Sequence, residues 1–207
     1  NHYMLIGIVG LIGSGKDTIA NHLVDYHDFY KTSFADKLKD AVAQMFDWDR
    51  DMLEGKSADS RAWREQPDPF WTQETGFEVT PRLVLQKFGT ECMRQGFFDG
   101  IWVSLVKQQI TKNPGKSWVI PDVRFPNEIK MIKEVGGWIW RVKRGDHPEW
   151  FQKYMQENIE PTDIHPSEWA WAKAEYDWQI NNDNDVPILN AQVNALVQSY
   201  LSATKSP

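Results

Sequence analysis

The sequence predicts an α/β fold in which a mainly parallel five-stranded sheet carries helices on both faces. Three observations predict it. Short apolar runs rich in Val, Ile and Trp alternate with longer stretches of helical periodicity along the 207 residues, the pattern of strands joined by helical crossovers. The first apolar run, Met4 to Val9, passes through a glycine-rich loop straight into a helical pattern. The length suits one domain with a full core, expected to span 1–207 with two insertions at about 47–79 and 145–166.

The elements follow in order. The first strand is read at about Tyr3–Val9, and the first helix shows Ile19, Leu23 and Val24 on one face. Phe29–Phe34 reads as a short second strand. Asp36–Phe46 reads as a helix with Leu38, Val42 and Met45 on its buried side. From Asp47 to Val79 periodicity gives way to charged and aromatic residues with Pro67, Pro69, Gly55 and Gly76. That length exceeds an ordinary connection and points to a functional insertion. Thr80-Pro81 supplies an N-cap and a first-turn proline for a helix carrying Leu83, Val84 and Phe88 towards Gly89. Asp99 opens another helix with Ile101, Leu105 and Val106 inward, stopped by Asn113-Pro114-Gly115. Ser117–Ile120 is a central strand, Asn127–Val135 a helix ended by Gly136-Gly137, and Trp138–Val142 the next strand. A second irregular stretch leads to a short helix near Ser167–Lys173, with Ser167 as a natural N-cap. Asp177–Ile180 and an amphipathic helix from Val186 to Leu201 complete the pattern.

Composition narrows the functional classes. A formal charge of −6 argues against broad binding of nucleic-acid polymers, which needs a basic face; small phosphorylated ligands need only a local basic cluster. The single cysteine, Cys92, excludes an intramolecular disulfide framework and a cysteine metal cluster. With no apolar run near bilayer length and no leader pattern, a soluble cytoplasmic protein without a membrane role is expected.

The chemistry-bearing motif is Gly10-Leu-Ile-Gly13-Ser-Gly15-Lys16. Between a strand and a helix, G-x-x-x-x-G-K is a phosphate-binding loop: its glycines turn backbone N–H groups inward, the helix start favours an anion, and the lysine adds a mobile charge. One letter departs from the pattern. Asp17 stands where a Mg²⁺-binding hydroxyl is expected, and Thr18 follows; Asp17 is read as a metal residue acting through water, with Thr18 on an inner phosphate. Ligands in open parallel sheets bind beyond the carboxyl ends of the strands, where Asp122, Arg124 and Glu128 follow the central strand. Asp122 is placed to order Mg²⁺, or else caps its loop. Arg124 stabilises transferring charge, or else forms a surface ion pair; Glu128, one turn on, orients it or is a solvated first-turn acid. Arg61, Arg64 and Arg82 are each solvated charges taken singly, and together are clamps for an acceptor phosphate. Gly89-Thr90 reads as a helix C-cap or as close backbone approach to a base.

The ordered set Gly15-Lys16-Asp17-Thr18, Lys37-Leu38-Lys39-Asp40, Phe88-Gly89-Thr90, Trp102, Pro121-Asp122-Val123-Arg124 with Glu128, and His165-Pro166-Ser167-Glu168 resembles the deoxynucleoside monophosphate kinases of tailed bacteriophages, the T-even type in particular. The resemblance covers most of the chain and implies a P-loop kinase three-layer sandwich. It implies transfer of the ATP γ-phosphoryl group to a dNMP with Mg²⁺, in the host cytoplasm if the chain is phage-encoded. It assigns Gly13, Gly15, Lys16, Asp17 and Thr18 to ATP, and Lys39, Arg61, Arg82, Gly89, Thr90, Trp102, Asp122, Arg124, Glu128 and Ser167 to the dNMP, with Lys16, Asp122 and Arg124 catalytic. Ser167 stands where the family has threonine. Another small P-loop kinase, of dephospho-coenzyme A or shikimate type, and a non-catalytic nucleotide-binding regulatory module are the alternatives. Which bases are accepted is open, as is the oligomeric state, a homodimer among the options.

Overall fold

A computed structural model describes residues 3–205. In chain order its elements are β1 (Leu5–Gly10), α1 (Lys16–His27), β2 (Phe29–Lys31), α2 (Asp36–Phe46), α3 (Arg50–Glu54), α4 (Ala58–Arg64), α5 (Pro69–Thr75) and α6 (Pro81–Gln86). A π-helix (Lys87–Gln95) follows, then α7 (Ile101–Thr111), β3 (Ser117–Ile120), α8 (Pro126–Glu134), β4 (Trp138–Lys143), α9 (Glu149–Glu157), a 3₁₀ turn (Pro166–Glu168), β5 (Trp178–Asn181) and α10 (Val186–Lys205). The described residues up to Ser33 and from Lys107 onward make one compact unit, and Phe34–Val106 make another.

The first unit holds the sheet. Its strand order is β2-β3-β1-β4-β5, and every pairing is parallel, so the expected sheet is fully rather than mainly parallel. Strands buried on both faces need apolar residues without strict alternation, and β1 is buried from end to end. Ile6 and Ile8 pack with Ile19, Ala20 and Leu23 of α1 and with Leu189, Val193 and Val197 of α10. On the opposite face Gly7 makes room for α8: a Cβ there would fall 2.6 Å from Ile132 Cδ1. Because β1 sits between β3 and β4, the loops that follow β1 and β3 leave neighbouring strands, with Gly7 opposite Ile120 in register.

The second unit is helical. Val42, Leu53 and Leu85 form its buried centre, flanked by Leu38, Phe46, Trp48, Trp63, Val84 and Phe88. Phe46 stacks on Trp48 at 4.8 Å between ring centroids, and Trp48 meets Trp63 edge-on at 5.7 Å.

Five expectations are corrected. The stretch 47–79 is built of three short helices, α3 to α5, each opened by a side-chain cap from Asp49, Ser57 or Asp68; helices this short carry too few turns to show periodicity. The helix from Pro81 does not end at Gly89 but continues as a π-helix to Gln95, so Gly89 is no C-cap. Met45 is 64 % exposed, and the buried side of α2 is carried by Val42. Ser167 lies inside the 3₁₀ turn, whose N-cap is His165, with the imidazole accepting from the Ser167 N–H. The stretch 145–166 contains α9, whose Phe151 and Tyr154 are buried.

Candidate active site

Gly13 and Gly15 have φ of +77° and +109°, the left-handed region in which glycine alone is unstrained. These two residues flank Ser14, whose N–H donates to the Leu11 carbonyl at 3.1 Å, and the loop leads into the N-terminus of α1, where first-turn N–H groups favour an anion. Gly10 is needed for a different reason: a Cβ there would lie 2.7 Å from Ser14 Oγ and 2.8 Å from the Val142 carbonyl. Lys16 Nζ lies across the loop and donates to the Gly10 carbonyl at 2.6 Å. Burial, aided by the Arg124 charge, holds its pKa below the ordinary lysine value, against the opposing pull of Asp122 and Asp17. Asp17 is exposed in the first turn of α1, and Thr18 beside it is half-buried.

At the end of β3 the predicted residues meet. Arg124 Nε donates to Asp122 Oδ1 at 2.6 Å, and its Nη1 donates to Ser167 Oγ at 3.3 Å. Glu128 does not reach the guanidinium. Its Oε1 accepts from the backbone N–H groups of Arg124 and Phe125 at 2.8 and 3.0 Å, so it fixes the main chain from which Arg124 projects. Burial, reinforced by the Asp122 charge, raises the Glu128 pKa to about 7 against the lowering effect of those two N–H bonds. Asp122, Arg124, Glu128 and Ser167 therefore form one hydrogen-bonded constellation with Lys16 within electrostatic reach of Asp122 and Arg124, across 151 residues of sequence that no local signal links.

The predicted residues of the helical unit form a looser set. Lys39 lies 3.5 Å from Glu54 Oε1 and donates to the Glu54 carbonyl, as does Arg64. Burial lowers the pKa of both cations. Arg82 pairs with Glu65 at 2.9 Å. Arg61 is exposed and donates to the Lys56 carbonyl at 2.7 Å. Gly89 is buried in the π-helix, with Thr90 half-buried beside it. The Gly89 carbonyl accepts from the Trp102 indole N–H at 3.0 Å, and a Cβ on Gly89 would lie 3.0 Å from Leu38 Cδ2.

Comparison with known proteins identifies the family. No family model matches the chain. A protein of Acanthamoeba polyphaga mimivirus, named as a deoxynucleotide monophosphate kinase, is 36 % identical over 177 residues, covering 80 % of this chain and 80 % of that protein. The chain belongs to the deoxynucleotide monophosphate kinase family. The deoxynucleoside-5′-monophosphate kinase of Escherichia phage T5 is 27 % identical over 180 residues, 63 % of this chain and 72 % of the phage protein. Among solved structures, dephospho-CoA kinase from Campylobacter jejuni aligns at a TM-score of 0.43 and 13 % identity, covering 97 % of this chain and 98 % of that one. Shikimate kinase from Aquifex aeolicus aligns at 0.45 and 11 %, covering 98 % and 100 %.

Among the described residues of this kinase no three His, Cys, Asp or Glu side chains cluster as a metal cage. Mg²⁺ in phosphoryl-transfer sites binds through one or two carboxylates plus substrate phosphates. Asp17 and Asp122 are the available carboxylates, both within electrostatic reach of Lys16. One residue escaped the sequence reading. Asn182, just after β5, is 6 % exposed and donates through Nδ2 to the Ser14 carbonyl at 2.9 Å. A Cβ on Gly15 would come within 2.5 Å of the same nitrogen. In a trans peptide the carbonyl and the next N–H point oppositely, so the Asn182 bond to the Ser14 carbonyl fixes the orientation of the peptide that carries the Gly15 N–H. The available signal was a polar Asn181-Asn182-Asp183 run directly after an apolar strand. No helix among the described residues is long and apolar enough to cross a membrane.

Proposed function

We propose that the chain transfers the γ-phosphoryl group of ATP to a deoxynucleoside monophosphate, giving dNDP and ADP with Mg²⁺, and that it works in the cytoplasm. The observation that carries this reading, in a chain of this family, is the phosphate loop with Lys16 electrostatically coupled to the hydrogen-bonded pair Asp122–Arg124. Gly13, Gly15, Lys16, Asp17 and Thr18 are assigned to the ATP phosphates. Lys39, Arg61, Arg82, Gly89, Thr90, Trp102, Asp122, Arg124, Glu128 and Ser167 are assigned to the dNMP, and Asp17 also to the metal, through water.

Both substrates are anions, so positioning and charge neutralisation do most of the work. Bound Mg²⁺ supplies divalent charge to the donor phosphates. Lys16 neutralises an outer phosphate oxygen, and Arg124, steadied by Asp122 and Ser167, stabilises charge on the phosphoryl group in flight. The acceptor phosphate is already ionised at neutral pH, so no strong general base is needed. We assign the segments 47–79 and 145–166 of a single kinase domain to excluding water, the competing acceptor.

The test is a coupled ADP-release assay with ATP and Mg²⁺ over all deoxy- and ribonucleoside monophosphates. Turnover with one or more dNMPs is expected. Silence across the panel overturns the reading and turns attention to other small phosphate acceptors.

A further inference from the structure

We infer that a cavity beside the phosphate loop is an additional oxyanion subsite for a bound nucleotide, with the Arg141 guanidinium as its fixed donor; this rests on the kinase reading above. The cavity, of about 270 Å³, is lined by Leu11–Ser14 of the loop, by the C-terminal end of β4 and by the approach to α9. Arg141 is 8 % exposed. Its guanidinium carbon lies 5.3 Å from the Tyr176 ring centroid and 5.9 Å from those of Phe151 and Trp171.

Buried arginines are ordinarily paired with an acid. Among the described residues no ion pair or side-chain hydrogen bond engages the Arg141 guanidinium. The three rings offset part of the cation's desolvation, but none of them hydrogen-bonds its N–H fork. That fork fits phosphate oxygens bidentately. Lys143 and Arg144 line the same cavity, as do the carboxylates Asp146 and Glu168, leaving three fixed cations against two anions. His147, also lining it, has its pKa lowered by burial and by the charges of Arg141 and Lys143. An arriving phosphate would supply the missing acceptor next to a loop already shaped for phosphates.

The oxyanion could come from ATP or from the acceptor, and the experiment separates them. Arg141→Met keeps the length of the stem and removes the fork; Arg141→Lys keeps the charge. KM for ATP and for the best dNMP would be measured in each, with calorimetric titration of each nucleotide alone and a thermal melt. Loss of a charge-assisted bond predicts a rise of about tenfold or more in KM and Kd for one nucleotide in Arg141→Met, with partial recovery in Arg141→Lys. A rise confined to ATP assigns the oxyanion to the donor; one confined to the dNMP assigns it to the acceptor. If both constants stay within about twofold of the parent in a folded variant, Arg141 serves packing alone and the inference falls. Should Arg141→Met not fold, Lys143→Met reports on the same cavity, and unmoved constants there overturn the inference as well. Failure of the kinase reading looks different: the parent protein itself would be silent across the acceptor panel.

Discussion

At the scale of single residues, the electrostatics around Asp122 set the clearest tests. Lys16→Ala should abolish transfer while leaving the thermal melt intact, since Lys16 contributes charge at the loop rather than core packing; near-normal turnover would remove the phosphate-loop assignment. Arg124→Ala should cut kcat by roughly 10²–10⁵, the range for a charge-stabilising group, whereas a loss of stability with unchanged kcat would make the Asp122–Arg124 bond purely structural. Glu128 gives a pH signature. Its folded pKa of about 7 stands above the ordinary 4.5, so the folded state holds a proton that the unfolded chain releases earlier. Its contribution is therefore fully present below about pH 4.5 and is lost as pH rises to about 7. Glu128→Gln keeps the acceptor oxygen without the titration, so its melting temperature relative to the parent should rise between pH 5 and pH 8; a constant difference would contradict the shift. These residues were legible in sequence because strand ends and a glycine-rich loop are marked locally. The role of Glu128 was not, because whether a first-turn carboxylate grips a side chain or the main chain behind it depends on a loop conformation that spacing does not encode.

At the scale of elements, the phosphate loop and the π-helix are shaped from outside their own sequence. The loop is anchored by Asn182, which reaches it from just after the edge strand β5. Asn182→Ala should raise KM for ATP several-fold with a smaller effect on KM for the dNMP, and Asn182→Asp, which keeps the shape without the donor, should behave alike; equal shifts in both constants would indicate general loosening. The π-helix buries Gly89 against Leu38 and Trp102, and π-turns often mark functional positions. Gly89→Ala places a methyl group 3.0 Å from Leu38 and should disturb dNMP kinetics more than ATP kinetics. Five strands, the long helices and the order of the sheet's chemistry were readable because their periods repeat over enough residues. The helices of 47–79 were hidden for the opposite reason: their caps were present, but each helix is at most seven residues long.

At the scale of the whole molecule, the two units offer separate readouts. In hydrogen exchange, ATP alone should protect amides of Leu11–Lys16, and a dNMP alone should protect amides of the π-helix; protection of the loop by dNMP but not by ATP would reverse the assignments. The chain also interrupts itself. The helical unit is one continuous segment, Phe34–Val106, while the sheet unit is split around it, and β1 waits for partners that begin at Ser117. During synthesis β1 therefore emerges ahead of both its sheet partners, and more than a hundred residues separate it from the nearer one, β3. Because closing so long a loop precedes any reward from pairing, pulse-labelled refolding should show protection in Phe34–Val106 ahead of β1. The interval between the two is when the apolar Leu5–Val9 run is open to aggregation, so expression yield should respond more to synthesis rate and temperature than the stability of the finished fold would suggest.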